Sequence, residues 1–121
     1  MKPEFTNEKS IYLQIAESIQ DDILQHIIEE ETQAPSTNQL AIYYRINPAT
    51  AARGLNLLVN EGILYKKRGI GMFVAKGAVN KICYRRKISF YDRYIVTLLA
   101  EASNLNISKD EIIDMIKNAG E

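Results

Sequence analysis

Three helix signals in close succession, followed by a turn with two glycines, constrain this chain more than any other feature. Ile11, Ile15, Ile19, Ile23 and Ile27 recur every four positions, with Leu24 and Ile28 alongside. That apolar stripe predicts an amphipathic helix over 10–30. The acids Asp21, Asp22, Glu29, Glu30 and Glu31 fall mostly off the stripe and read as a solvated face. Pro35-Ser36 opens a second, shorter helix, and Gln39 stands three residues after Ser36, the spacing of a capping box. Leu40, Ala41 and Tyr43 or Tyr44 would supply its buried side. A brief turn at Arg45-Ile46 leads to Asn47-Pro48, a good N-cap followed by the residue favoured at the first helical position. Ala51, Leu55, Leu58 and Val59 make the inward face of this third helix, and Gly62 ends it. Strand-like stretches at 63–66 and 72–74 flank Lys67-Arg68-Gly69-Ile70-Gly71 and predict a β-hairpin.

Three helices and then a hairpin is the element order of a winged helix-turn-helix. The expected fold is mainly α with a small β-hairpin: a winged helix-turn-helix followed by a short two-helix C-terminal dimerisation tail. Gly77 marks the joint, so residues 1–77 are expected to form a DNA-binding domain and 78–121 a helical dimerisation segment. The tail helices are expected at 90–103 and 108–119, the second opened by a capping box from Ser108 to Glu111. Two helices of this length bury little alone. Phe90, Tyr94, Leu98, Leu99, Ile112 and Ile116 are therefore expected to pack against a second copy. On this reading, deleting 78–121 leaves a folded monomer that binds weakly.

Composition fits one globular domain with a short appendage: of 121 residues, 46% are hydrophobic and 25% charged. No apolar run approaches the roughly 18 residues that span a bilayer. The N-terminus lacks a signal-peptide pattern, and the lone cysteine, Cys83, has no intrachain partner. The expectation is a cytoplasmic protein that meets no membrane. The formal net charge of zero conceals an uneven distribution. Residues 1–34 carry two basic and eight acidic residues, a net of −6; residues 35–77 carry six and one, a net of +5; the rest nets +1. A basic middle segment points to a polyanionic partner.

The third helix would lie in the major groove while the second crosses the phosphate backbone. Small residues at its start, Pro48, Ala49, Thr50 and Ala52, permit close approach to base edges. Ala49, Thr50, Ala52, Arg53 and Asn56 point outward if Ala51, Leu55 and Leu58 point in. Arg pairs bidentately with guanine, and Thr bonds a base or a phosphate. Helix starts capped by Ser36 and Asn47, with Thr37 and Asn38 beside them, present N–H groups to phosphates. Lys66, Lys67 and Arg68 crowd the hairpin, where Gly69 lets the backbone come close to a phosphate ridge or the minor groove. The partner expected is double-stranded DNA.

The segments Ala34-Pro35-Ser36-Thr37-Asn38-Gln39-Leu40-Ala41, Ile46-Asn47-Pro48-Ala49-Thr50, Leu58-Val59-Asn60-Glu61-Gly62-Ile63-Leu64 and Arg68-Gly69-Ile70-Gly71-Met72-Phe73-Val74 follow in order. With Ile11-Tyr12-Leu13-Gln14-Ile15-Ala16 they resemble the DNA-binding domain of GntR-type bacterial regulators over roughly residues 10–76. The Asn-Pro-x-Thr element and the short tail are most similar to the YtrA-type subfamily. The resemblance implies a repressor, often of a transporter operon, that binds a twofold-symmetric operator as a homodimer. It implies contacts from Ser36, Thr50, Arg53 and Gly69. Three positions depart from the family's habit: Asn38 where Arg is usual, Ile70 where a basic or polar wing tip is common, and Gly54 where Ala is usual.

Other features read as structural. Gly54 is explained by close packing against the first helix. Gly69-Ile70-Gly71 sits in a hairpin and not between strand and helix, so it is no dinucleotide loop. His26 lacks clustered ligands for a metal, and Cys83 reads as a plain thiol. Arg85-Arg86-Lys87 is open between DNA contact, a linker anchor and no specific role. No cofactor is implied. A small-molecule effector stays open and without identity, the tail being short for a conventional effector domain. A rival reading is a winged helix that binds protein or RNA, in which charge reversal at Arg53 would change nothing. An enzyme finds no support, because no paired carboxylates, activated nucleophile or metal spacing are present.

Overall fold

The computed structural model describes residues 4–7 and 9–120, and by internal contacts the chain divides into two compact units between Cys83 and Tyr84. In the first unit, α1 (Ile11–Leu24) buries Ile15, Ala16, Ile19 and Ile23. It stops six residues before the expected end. The His26 N–H returns to the Ile23 carbonyl (3.2 Å) and the Ile27 N–H to the Asp22 carbonyl (2.8 Å), with His26 left-handed at φ 60°. This pair of bonds is the Schellman stop, made here without glycine. The stripe breaks at the same place: Ile27 is exposed, whereas Ile28 packs against the core.

In α2 (Thr37–Tyr44), the Ser36 hydroxyl accepts from the Gln39 N–H (3.1 Å), and the Gln39 side chain accepts from the Ser36 N–H (2.9 Å). Leu40 and Ala41 are buried, and Tyr44, its ring 4.5 Å from that of Phe5, packs on the core where Tyr43 stays exposed. Arg45 is left-handed, which turns the chain into α3 (Pro48–Asn60). There the Asn47 Oδ1 accepts from the Ala49 N–H at 2.8 Å. Ala51, Gly54, Leu55 and Leu58 face α1 and the core. A Cβ on Gly54 would stand 2.9 Å from the Tyr12 carbonyl oxygen and 3.1 Å from Ile15 Cγ2. This close approach is the packing that the sequence predicted.

Strands β1 (Leu64–Lys67) and β2 (Gly71–Val74) pair antiparallel, Leu64 opposite Val74 and Lys67 opposite Gly71. The sequence does not announce what lies along the far edge of β2. The Glu31 N–H donates to the Val74 carbonyl (2.7 Å), Val74 to Thr32 (2.9 Å) and Ala34 to Met72 (2.9 Å). Residues 31–34 thus strap the wing to the body, and the Gln33 side chain donates to the Ile70 carbonyl at the wing tip (3.0 Å).

A helix expected by no signal follows directly. Helix α4 (Ala78–Phe90) begins where a joint was anticipated, and Ala78 and Ile82 are fully buried in the first unit's core. Its charged sequence, with Lys81, Arg85, Arg86 and Lys87, hides the short apolar contact made by those two residues. Its cap comes from far away: the Glu30 carboxylate accepts from the N–H groups of Gly77 (2.8 Å) and Val79 (3.0 Å). These bonds hold Glu30 below its ordinary carboxylate range, so it is no idle member of a solvated face. Glu30 itself stays half-exposed, whereas Asp22, another of the acids, is buried.

In the second unit, a π-helical stretch (Tyr91–Ile95) leads into α5 (Val96–Asn104). After a left-handed turn at Asn106, α6 (Lys109–Asn118) starts with the expected box, Ser108 and Glu111 exchanging two bonds of 3.1 Å. Ala102 and Ile112 are its buried residues. Among the described residues no helix is long and apolar enough to cross a membrane.

Candidate nucleic-acid interface

All eleven residues expected at DNA lie in the first unit. Ser36, Thr37 and Asn38 form the start of α2, with Asn38 exposed and the other two half-buried. The Ser36 oxygen is committed to the cap as an acceptor, which leaves its O–H to donate elsewhere. At the start of α3, Asn47 and Ala49 are exposed and Thr50 is half-buried. Ala49, Thr50 and Arg53 gather around one open surface depression of about 390 Å³, whose other wall is Ile11 and Tyr12 of α1. Arg53 is exposed, and its guanidinium carbon sits 3.8 Å from the centroid of the Tyr12 ring, a cation–π stack. In the sequence Tyr12 stands only as one residue of the Ile11–Ala16 motif. Its partnership with Arg53 spans two helices and has no local signature.

On the wing, Lys66, Lys67, Arg68 and Gly69 are all exposed. They are not equivalent. The Lys67 ammonium lies 4.2 Å from the Phe73 ring centroid and 5.9 Å from that of Tyr65, so the cross-strand aromatic pair carries it. Gly69 is left-handed at φ 78°, with open space where a Cβ would stand. A side chain there would be strained by backbone geometry alone. Ile70 projects from the tip, 62% exposed. The wing therefore presents its cations along β1 and into the turn, beside an apolar tip.

The residues expected at a dimer contact lie in the second unit or at the end of α4. Phe90 and Tyr94, their rings 5.2 Å apart, are exposed, as are Leu98 and Ile116. Leu99 is half-buried. Ile112 is 9% exposed, already covered by its own unit. Beside it, between α5 and α6, runs an apolar groove of about 330 Å³ lined by Leu98, Ala102, Leu105, Ile107, Met115 and Ile116, among others.

Residues 11–74 match the family described as bacterial regulatory proteins, gntR family. A crystal structure of a protein from Bacteroides thetaiotaomicron, assigned to GntR-family transcriptional regulators, superposes with a TM-score of 0.77 at 39% identity, covering 89% of this chain and 94% of that one. The HTH-type transcriptional regulator YhcF of Bacillus subtilis is 28% identical over 97% of this chain and 95% of its own length. The HTH-type transcriptional repressor YtrA of the same organism is 24% identical over 88% and 82%. The DNA-binding domain of AraR in complex with an operator matches at 29% identity and TM-score 0.54, covering 62% of this chain and 96% of AraR's domain. The helices, the wing and the matched residues together place the chain in the GntR family of DNA-binding bacterial transcription regulators.

Proposed function

We propose that the protein is a cytoplasmic repressor of the YtrA type. It binds a twofold-symmetric operator in duplex DNA as a homodimer, and a transporter operon is the setting that the resemblance favours. The observation that carries this reading is the start of α3. Side chains no longer than Thr precede an exposed Arg53 at the rim of an open depression, the relief that lets a helix end reach base edges. The basic wing supplies phosphate contacts, and the N-termini of α2 and α3 add backbone donors. Residues 1–77 carry these elements and act as the DNA-binding part, while the segment from 78 onward carries the pairing surface. Repression is supported by the similarity to YtrA of Bacillus subtilis, a transcriptional repressor.

Pairing through the second unit is supported by its exposed Phe90, Tyr94, Leu98 and Ile116. Exposed large apolar side chains gathered on one short segment suit a pairing face. In this reading the groove between α5 and α6 is covered by the second copy and not by an effector.

The test is selection of random duplexes by the full chain, followed by titration of the winner over a salt series. A site with two half-sites about 10 base pairs apart, or a multiple, is expected for a dimer. Log affinity should fall with log salt by about 0.9 per phosphate contact. Sedimentation should give a dimer that Ile116→Lys disrupts. If no duplex is enriched and binding ignores salt, the interface serves another partner, such as a protein.

A further inference from the structure

We infer that Tyr12 is a positioning residue that sets base specificity by holding the Arg53 guanidinium ready to read guanine. The inference rests on α3 being the helix that reads the major groove. Among the described residues, what the structure sets against Arg53 is an aromatic face, 3.8 Å away, and not a carboxylate. The difference matters chemically. A carboxylate would occupy the in-plane N–H donors and compete with DNA for them. A ring engages the flat face and does not consume those in-plane donors. Bidentate pairing to guanine O6 and N7 uses those same in-plane donors.

The ring itself is well placed to serve as a platform. The Tyr12 backbone lies at a close approach of α1 to α3, where a Cβ on Gly54 would stand 2.9 Å from the Tyr12 carbonyl oxygen. Gly54 follows Arg53 directly, so the missing Cβ is what lets the ring stand under the guanidinium. Ala49 and Thr50, both small, share the open depression with Tyr12 and Arg53. A long, rotamer-rich side chain is thereby ordered before DNA arrives. The entropy of fixing it is not charged to the specific complex alone.

The test uses the full chain on its selected duplex and on duplexes altered one base pair at a time. Arg53→Ala first identifies the base pair at which preference relaxes. Tyr12→Leu should then lower discrimination at that same pair by about 3- to 10-fold, the worth of ordering one such side chain. Tyr12→Phe should restore it, and Tyr12→Leu should add nothing on top of Arg53→Ala. A uniform loss of affinity across all duplexes, or full additivity of the two changes, overturns the proposal. If Tyr12→Leu melts too low to assay, NMR of the wild-type protein decides. Ring-current upfield shifts of the Arg53 side-chain protons are expected, and random-coil shifts overturn it. If Arg53→Ala relaxes no base preference, the underlying reading of α3 fails first, and the proposal with it.

Discussion

At the scale of single residues, two positions show how little room this fold leaves. Gly54 sits in mid-helix, where alanine would ordinarily gain about 1 kcal/mol in helix propensity. The added methyl would meet a backbone carbonyl of α1 that cannot swing aside. Overpacking of this kind costs about 1–3 kcal/mol, so Gly54→Ala should destabilise by about 1 kcal/mol net, measured by urea unfolding. Glu30 gives a pH-dependent prediction. Its carboxylate is held below the ordinary value of about 4.5, chiefly by the Gly77 N–H and then by that of Val79. The stabilisation it gives is complete above that ordinary value and disappears as pH falls through the depressed one. Wild type should therefore outlast Glu30→Gln in urea at pH 7, and the gap should close as pH falls well below about 4.5. Neither the stack of Tyr12 under Arg53 nor the reach of Glu30 to Gly77 was legible in the sequence. Both join residues roughly forty or more positions apart through tertiary contact, and residue patterns report local order only.

Among elements, legibility followed the strength of local signals. The capping boxes at Ser36 and Ser108 and the Asn-Pro start of α3 were readable, because each closes within four residues. The end of α1 was missed because His26 fills a left-handed place usually given to glycine. Helix α4 was missed because its buried side is two residues, Ala78 and Ile82, amid charges. The strap at 31–34 was missed because it pairs as backbone, without alternating side chains. Its part in the wing can be checked. Gln33→Ala removes the bond to the Ile70 carbonyl, so amide exchange at residues 68–71 should accelerate while the global melting temperature barely moves. Unchanged exchange would show that the turn holds itself through the Ile70 N–H to Lys67 carbonyl bond.

For the whole molecule, the boundary between units has practical weight. The sequence pointed to a joint at Gly77 and to a folded remnant after deletion of 78–121. That remnant would lose Ala78 and Ile82, both fully buried in the first unit. Loss of a buried isoleucine alone costs about 2–5 kcal/mol. A chain ending at Gly77 should accordingly melt well below one ending at Phe90, as circular dichroism would show, and only the longer one tests the role of the tail fairly.

The same placement of Ile82 bears on how the protein emerges from the ribosome. The element that seals the DNA-binding core is the last part of that unit to be made, and the Glu30 carboxylate must wait for Gly77 and Val79 before its cap is complete. Domains generally complete as units during synthesis. Nascent chains arrested with Ile82 still inside the exit tunnel should be readily cleaved by protease, and those with Phe90 outside should resist. A newborn chain therefore closes the core of its first unit only moments before its apolar tail appears.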